Sequence, residues 1–160
     1  MITLDIPGFG RREINRMVSD YSGTLTFAGA LRHDVRQRLI RLADLVEIHI
    51  LTSDTFGTAR LELGDLPVTL KLLHGNGHDV QKRDYVTALA PAHIAVFGNG
   101  NNDRLMLATV REANGLAVAV DNGEGCAVAS LHAANLLIHG AENALDLLLD
   151  SNRCKATLRF

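Results

Sequence analysis

The chain has 160 residues, of which 47% are hydrophobic and 21% are charged, an ordinary balance for a globular domain with a packed core. Its 16 Lys and Arg residues stand against 18 Asp and Glu residues, so the formal net charge is -2. This balance argues against proteins that bind nucleic acid or anionic membranes through clustered basic residues. No apolar run approaches the roughly 18 residues that span a bilayer. We therefore expect a single domain over residues 1–160 that binds neither nucleic acid nor membrane.

The cysteine content and the N-terminal residues indicate the cellular compartment in which the protein is expected. Only Cys126 and Cys154 occur, which are too few for a disulfide framework or a Cys-rich zinc site. The first ten residues contain no Lys or Arg ahead of their apolar residues, so they do not resemble a secretory signal. Two reduced thiols are typical of a reducing compartment, and these features predict a cytoplasmic protein.

The first residues of the chain predict a β-hairpin. Apolar and polar residues alternate from Ile2 to Ile6, with the period of a strand that is buried on one face. Residues 7–10, which read PGFG, are a turn signal. A second strand is then predicted to run through Ile14 and Met17 as far as Asp20.

Beyond Asp20 the pattern changes to alternating helices and strands. The predicted helices span residues 31–43, 58–63, 79–89, 103–113, 126–132 and 141–149. The predicted strands span residues 46–51, 68–72, 94–97, 116–120 and 136–138. Such alternation predicts an α/β fold: a Rossmann-like three-layer sandwich with a mainly parallel central sheet between two layers of helices. The short spacing between the elements leaves no room for a large inserted domain, or cap, that could cover a ligand site. The last ten residues are expected to pack on this domain or on a second subunit.

Two of the predicted strands end in residues that could contact a phosphate. Ligands of parallel sheets bind beyond the carboxyl ends of the strands. Asp20, which is followed by the flexible Gly23, could attack phosphorus or bind a cation, although an Asx-type turn is a common alternative. Thr52 and Ser53 could donate hydrogen bonds to a phosphate, although such residues also cap helices.

Two further segments carry a cation and a cluster of oxygen ligands. Lys82 lies near the start of a predicted helix, where the helix dipole favours anions. A nearby phosphate or carboxylate would explain this amine, and a solvated helix face is the alternative. Residues 98–103 read GNGNND and offer amide and carboxylate oxygens, which suit Mg²⁺. A dinucleotide-binding G-x-G-x-x-G loop is excluded, because Asp103 occupies the place of its third glycine.

The order of these segments resembles the haloacid dehalogenase superfamily of phosphotransferases over nearly the whole chain. The match is nearest to the phosphorylation domain of P-type ATPases. Residues 20–26 read DYSGTLT against the D-K-T-G-T-L-T signature, and residues 52–54 read TSD against T-G-D. Residues 98–103 match G-D-G-x-N-D, and Lys82 matches a looser lysine motif. The chain looks like a small soluble P-type ATPase-like phosphatase without membrane helices or a separate nucleotide-binding domain.

The resemblance implies a capless haloacid dehalogenase-like fold, Mg²⁺ as cofactor and a phosphorylated substrate, either a small molecule or a macromolecule. It implies that Asp20 becomes an aspartyl phosphate and that Lys82 offsets negative charge. The implied catalytic residues are Asp20, Ser22, Thr52 and Lys82. The implied phosphate-binding residues are Asp20, Gly23, Thr52, Ser53 and Lys82. The implied metal ligands are Asp20, the Ser22 backbone carbonyl, Asn99 and Asp103, the last either directly or through water.

Two residues depart from the family pattern. Asn99 replaces an acidic residue of the family pattern. This predicts weaker Mg²⁺ binding than in relatives with Asp, or a larger contribution of Asp103 to Mg²⁺ binding. Ser22 stands where hydrolytic relatives carry an Asp that protonates the leaving group, and such a group contributes roughly 10²- to 10⁴-fold in rate. We therefore expect slow hydrolysis that favours good leaving groups, such as aryl or acyl phosphates. The alternative is a regulatory or binding module that retains the fold with negligible turnover.

Other residues receive structural interpretations. His74 and His78 are separated by a Gly-rich stretch rather than a helical turn, so we expect a loop near the mouth of the site rather than a zinc site. Residues 121–125, which read DNGEG, are interpreted as a turn. Capless relatives have open sites, and the resemblance therefore implies a homo-oligomer or a macromolecular substrate that covers the site.

Overall fold

The N-terminal hairpin is formed by β1 (Ile2–Ile6) and β2 (Gly10–Ile14), which pair in antiparallel orientation. We describe it from a computed structural model that covers residues 1–55 and 57–160. The side chains of β1 alternate between buried and exposed, as the sequence predicts.

The prediction that one strand continues from the hairpin to Asp20 is wrong, because the chain leaves the hairpin at Asn15. A separate strand, β3 (Arg16–Asp20), enters the main sheet. The N–H of Asn15 donates to the carbonyl of His93, and its carbonyl accepts from the N–H of Glu47, so this residue already belongs to the larger sheet. The polar, half-exposed β2 suits a surface ribbon, whereas β3 is largely buried between two neighbouring strands.

The main sheet has six parallel strands in the order β5-β4-β3-β6-β7-β8. The strands that follow β3 are β4 (Glu47–Thr52), β5 (Thr69–Leu72), β6 (Ile94–Gly98), β7 (Leu116–Asp121) and β8 (Leu136–His139). Each lies close to a strand predicted from the sequence. The chain proceeds from β3 outward to β5 and then crosses to β6 on the other side of β3. Such a reversal opens a crevice at the carboxyl ends of the two central strands.

Helices cover both faces of this sheet. They are α1 (His33–Ala43), α2 (Thr58–Leu63), α3 (His78–Ala88), α4 (Arg104–Glu112), α5 (Val128–Ala133), α6 (Ala141–Leu149) and α7 (Ser151–Leu158). One core cluster joins α1, α6, α7 and the hairpin to the sheet, and a second joins α3, α4 and α5. Met17 belongs to the first cluster and Val18 to the second, because successive side chains of a strand point to opposite faces. The predicted three-layer α/β architecture is confirmed.

The C-terminal residues pack back on the domain. Helix α7 lies against β1, the Cys154 side chain is completely buried, and the N–H of Phe160 donates to the carbonyl of Pro7 at 3.1 Å. Among the described residues, no helix combines the length and the apolar character that a bilayer span requires.

Candidate active site

The predicted site residues meet at the carboxyl edge of the two central strands and β4. In the parallel register Asp20 pairs with Leu51 and Ser19 pairs with Phe97, so Thr52 and the loop after β6 lie beside Asp20. A cavity of about 210 Å³ opens there. The predicted residues that line it are Asp20, Ser22, Thr52, Ser53, Lys82 and Asn99. The wall also contains His78, Gly100 and Asn102, which belong to segments expected near the site, and Leu73, to which sequence reasoning gave no place.

A buried ion cluster lies at the base of this cavity. The Lys82 side chain is only 1% exposed, so a solvated helix face does not describe it. Its Nζ donates to Asp20 Oδ1 at 2.6 Å and to Asp103 Oδ1 at 2.7 Å. Two carboxylates share one ammonium group, and the ionised cluster therefore carries a net negative charge. Buried charges in proteins are paired or coordinate metals, so this excess favours a cation.

Burial and charge perturb the two catalytic candidates in this cluster. Burial, together with the neighbouring Asp103 carboxylate, raises the pKa of Asp20 to about 7, although the Lys82 ammonium acts in the opposite direction. Burial by itself lowers the pKa of Lys82, but the Asp20 and Asp103 carboxylates outweigh it and raise that pKa above its ordinary value. Lys82 is therefore an ammonium ion at neutral pH, and a further positive charge near Asp20 would favour its carboxylate form.

Asp103 organises the loop that follows β6. Its Oδ1 accepts from Lys82, and its Oδ2 accepts from the backbone N–H groups of Asn99 and Gly100, both at 2.9 Å. The side chain is completely buried. Both oxygens of Asp103 are therefore engaged by the chain itself, where they fix the amine and the asparagine-rich loop in relation to each other.

The oxygen atoms beside Asp20 fit a divalent cation. The Thr24 hydroxyl lies 3.1 Å from Asp20 Oδ2 and 3.0 Å from Asn99 Oδ1, yet it has one proton to donate. Two acceptors therefore converge where one donor is available, an arrangement that a cation would satisfy. Within residues 1–55 and 57–160 no three His, Cys, Asp or Glu side chains are grouped as metal ligands, so the donor set here mixes carboxylate and amide oxygens. Such hard oxygen donors suit Mg²⁺.

Thr24 contacts two of the predicted site residues, and sequence reasoning gave it no role. It is fully buried, and its hydroxyl connects the loop after β3 with the loop after β6. Thr24 lies within the DYSGTLT motif, but the motif did not indicate its role, because its partner Asn99 lies 75 residues away in the chain.

Gly23 is held in a conformation that disfavours a side chain. Its φ is +77°, and a Cβ atom added there would lie 2.6 Å from Asn99 Nδ2. The close approach of these two loops therefore depends on the absence of a side chain at this position.

We expect Gly23→Ala to displace Asn99 and to weaken cation binding in addition to straining the backbone by about 1–3 kcal/mol. The matched control is Gly29→Ala, because Gly29 has a φ of +78° but open space around its Cβ position. Calorimetric titration with Mg²⁺ should show weaker affinity in Gly23→Ala than in Gly29→Ala, while urea denaturation compares the backbone cost. Equal Mg²⁺ affinity in the two variants would contradict a role for this contact.

Thr52 is arranged to donate a hydrogen bond into the cavity. Its Oγ1 accepts from the N–H of Asp54 at 3.1 Å, which leaves the hydroxyl proton for another acceptor. The helix-capping alternative applies instead to Asp54, whose carboxylate accepts from Ala59 and Arg60 in the first turn of α2. Ser53 is exposed at the rim, with its Oγ 3.1 Å from Thr55 Oγ1.

Two other predicted features are also found. Residues 121–125 form a turn in which Asp121 Oδ1 accepts from the N–H groups of Gly123 and Gly125. The neighbouring Glu124 accepts from the N–H of Ala28 and so ties this turn to the segment that follows the Asp20 motif. His78 lines the cavity, but as the first residue of α3 rather than as part of a loop, whereas His74 is exposed in the loop that precedes α3.

Comparison with solved structures identifies the fold. Over 92% of this chain and 94% of the other, the structure matches the cobalt-bound deoxy-D-mannose-octulosonate 8-phosphate phosphatase of Haemophilus influenzae, with a TM-score of 0.68 and 16% identity. The fold is that of the haloacid dehalogenase superfamily. A hydrolase of this superfamily (subfamily III A) from Legionella pneumophila matches with a TM-score of 0.69 and 16% identity over 89% of this chain and 86% of that one.

A third haloacid dehalogenase-fold structure contains ligands. It is the 3-deoxy-D-manno-octulosonate 8-phosphate phosphatase of Moraxella catarrhalis, a complex with magnesium, phosphate and KDO, which matches with a TM-score of 0.66 and 12% identity. The match covers 89% of this chain and 90% of that chain. These identities are low, so the likeness establishes the fold. The narrower resemblance to P-type ATPase phosphorylation domains rests on the sequence motifs and stays a prediction.

Sequence comparison gives less information. No protein-family model matches the chain. An uncharacterized protein of Methanocaldococcus jannaschii is 39% identical over 66 residues, which are 41% of this chain and 67% of that protein.

Proposed function

We propose that this chain is an Mg²⁺-dependent phosphohydrolase that acts on phosphate esters or anhydrides through an aspartyl phosphate on Asp20. One observation carries the proposal: a buried amine bridges Asp20 and Asp103 at the base of a polar cavity, beyond the carboxyl ends of the central strands. A structural ion pair alone gives no reason to retain an unbalanced second carboxylate in the interior, because unpaired buried charge is costly.

In the proposed reaction the Asp20 carboxylate attacks phosphorus, and the bond between phosphorus and the leaving oxygen breaks. The phosphoryl group is carried on Asp20 until water displaces it and releases inorganic phosphate. Lys82 offsets the charge of Asp20 and of the transferring group, and the Thr52 hydroxyl donates to a phosphoryl oxygen. Stabilisation of this charge is the main source of catalysis in phosphoryl transfer. Ser53 and the Gly23 backbone complete the proposed phosphate pocket.

The proposed ligands of Mg²⁺ are Asp20, the Ser22 backbone carbonyl and Asn99, which approach from two loops. When bound, the ion would neutralise charge on the phosphoryl oxygens. Because both Asp103 oxygens already accept hydrogen bonds from the chain, we propose that Asp103 acts through water or by holding Lys82 and the loop in place.

We propose a phosphorylated small molecule as substrate. The neighbours from Haemophilus influenzae and Moraxella catarrhalis are phosphatases whose names specify a phosphorylated sugar acid. The cavity of about 210 Å³ in this chain has room for a phosphoryl group and a small part of the leaving group. With Ser22 in place of an acid, we expect aryl and acyl phosphates to react faster than alkyl phosphates.

Hydrolysis of p-nitrophenyl phosphate and of an alkyl phosphate, each with Mg²⁺ and with EDTA, tests this proposal. We expect turnover with Mg²⁺, loss of turnover with EDTA, and a higher rate on the aryl ester. Absence of turnover together with Mg²⁺-dependent binding of beryllium fluoride would instead support the alternative, a regulatory or binding module that keeps the fold. Metal-independent turnover would contradict the assigned cofactor.

A further inference from the structure

His78 lies in the wall of the candidate active-site cavity, and among the described residues no contact of its ring indicates a role in stabilising the fold. It is the first residue of α3, is partly buried, and lines the same cavity as Asp20 and Ser22. Within the described parts of the chain its ring takes part in no hydrogen bond and no ion pair, whereas His49 and His93 each have a ring partner. A histidine that packs for stability alone has little reason to face a polar cavity with both ring nitrogens free.

The helix places His78 beside the reacting groups. It stands four residues before Lys82, so the two side chains project from the same face of α3. Lys82 reaches the Asp20 carboxylate at the base of the cavity, and His78, one turn earlier in α3, lines the same cavity. The leaving group of a substrate bound to Asp20 must point away from the base, because Lys82 and Asp103 close it.

We propose that His78 is the general acid and base of the reaction, in the role that an aspartate at the position of Ser22 performs in hydrolytic relatives. This inference rests on the proposed function and deepens it. Imidazole exchanges a proton near neutral pH, which neither the Ser22 hydroxyl nor the amide of Asn102, also in the cavity wall, can do.

The His78 ring donates a proton in the first half-reaction and regains one in the second. In the first, Asp20 attacks phosphorus, the bond to the leaving oxygen breaks, and protonated His78 gives its proton to that oxygen, so that an alcohol departs. In the second, neutral His78 takes a proton from water while the water oxygen attacks phosphorus and the bond to Asp20 breaks. Inorganic phosphate leaves, and both Asp20 and the protonated His78 are restored.

Several charged groups surround this end of α3. Asp20, Lys82 and Asp103 form the buried cluster below, and Asp79 pairs with Arg104 of α4 at 3.1 Å. Asp20, whose pKa is about 7, must be ionised to attack and therefore shapes the acidic limb of the pH profile, so only a loss of the alkaline limb in a His78 variant reports on the imidazole.

The test compares His78→Gln with His74→Gln, a matched change at an exposed histidine in the preceding loop. For His78→Gln we expect kcat/KM for an alkyl phosphate to fall by roughly 10²- to 10⁴-fold, but by less than about tenfold for p-nitrophenyl phosphate, whose leaving group needs little protonation. The alkaline decline of the alkyl phosphate profile should disappear. His74→Gln should keep both rates.

A second variant separates proton transfer from a structural role. Ser22→Asp restores an acid at the family position, so it should raise alkyl phosphate hydrolysis more in the His78→Gln background than in the wild type. Equal losses on both esters, or no rescue by Ser22→Asp, would overturn the role of His78 while leaving the phosphohydrolase intact. If the wild type itself hydrolyses neither ester, the proposed function fails and the role of His78 fails with it.

Discussion

Replacement of Asp20 by Asn is expected to abolish phosphohydrolase activity while leaving the protein folded. The amide cannot form the acyl phosphate, and deletion of a catalytic nucleophile costs on the order of 10⁴- to 10⁶-fold in kcat. The side chain keeps its shape, and its Oδ1 can still accept from Lys82. Release of p-nitrophenol in the presence of Mg²⁺ measures the effect, and Asp84→Asn, an exposed change on α3, serves as the control.

The same Asp20→Asn protein provides a second readout that does not depend on turnover. Removal of one buried carboxylate leaves Lys82 and Asp103 as a balanced pair, so metal-free Asp20→Asn should melt at a higher temperature than the metal-free wild type. Mg²⁺ should stabilise the wild type and have little effect on the variant. Retained hydrolysis in Asp20→Asn, or equal stabilisation of both proteins by Mg²⁺, would contradict the assignment of Asp20.

Replacement of Lys82 by Met is expected to cause the largest loss of stability among the variants considered. The change removes the ammonium that two buried carboxylates share, and breaking a buried ion pair in this way costs about 3–5 kcal/mol. Methionine fills a similar volume, so the loss is electrostatic rather than a cavity effect. Urea denaturation followed by circular dichroism measures it, and Lys155→Met on the exposed face of α7 is the control.

A double variant distinguishes electrostatics from packing at Lys82. Combination of Lys82→Met with Asp20→Asn leaves a single buried carboxylate, so Asp20→Asn should stabilise the Lys82→Met protein more than it stabilises the wild type. An equal effect of Asp20→Asn in the two backgrounds would show that the alkyl chain of Lys82, rather than its charge, supports the fold. Turnover should be lost in both proteins, because neither can offset the charge of the transferring group.

The motifs at the strand ends were accessible from the sequence because each is local. DYSGTLT and GNGNND both follow buried strands, and these short patterns point to an oxygen-rich site without knowledge of the fold. The role of Lys82 was harder to predict from the sequence, because a lysine near the start of a helix is also compatible with a solvent-exposed helix face. Its burial depends on α3 packing beside the loop after β6, which no local pattern encodes.

The break at Asn15 illustrates why strand boundaries were harder to predict than strand existence. Apolar residues occur on both sides of it, and their alternation alone did not tell where one sheet ends and another begins. The partner strands decide this: in the part of the chain that the structure describes, β2 pairs with β1 alone, whereas β3 lies between β4 and β6. Residues far away in the chain supply those partners, so the boundary is set by pairing rather than by local composition.

The order of helices and strands, the parallel sheet and the location of the site at its carboxyl edge followed from the amino-acid pattern, because residue periodicity and turn chemistry act over a few neighbours. Tertiary structure alone decided that Lys82 bridges Asp20 and Asp103, and that Thr24 lies between Asp20 and Asn99. It also decided that His78, and not His74, lines the cavity. These contacts join residues that lie far apart in the sequence, and their geometry exists only after strand order and helix packing bring the loops together.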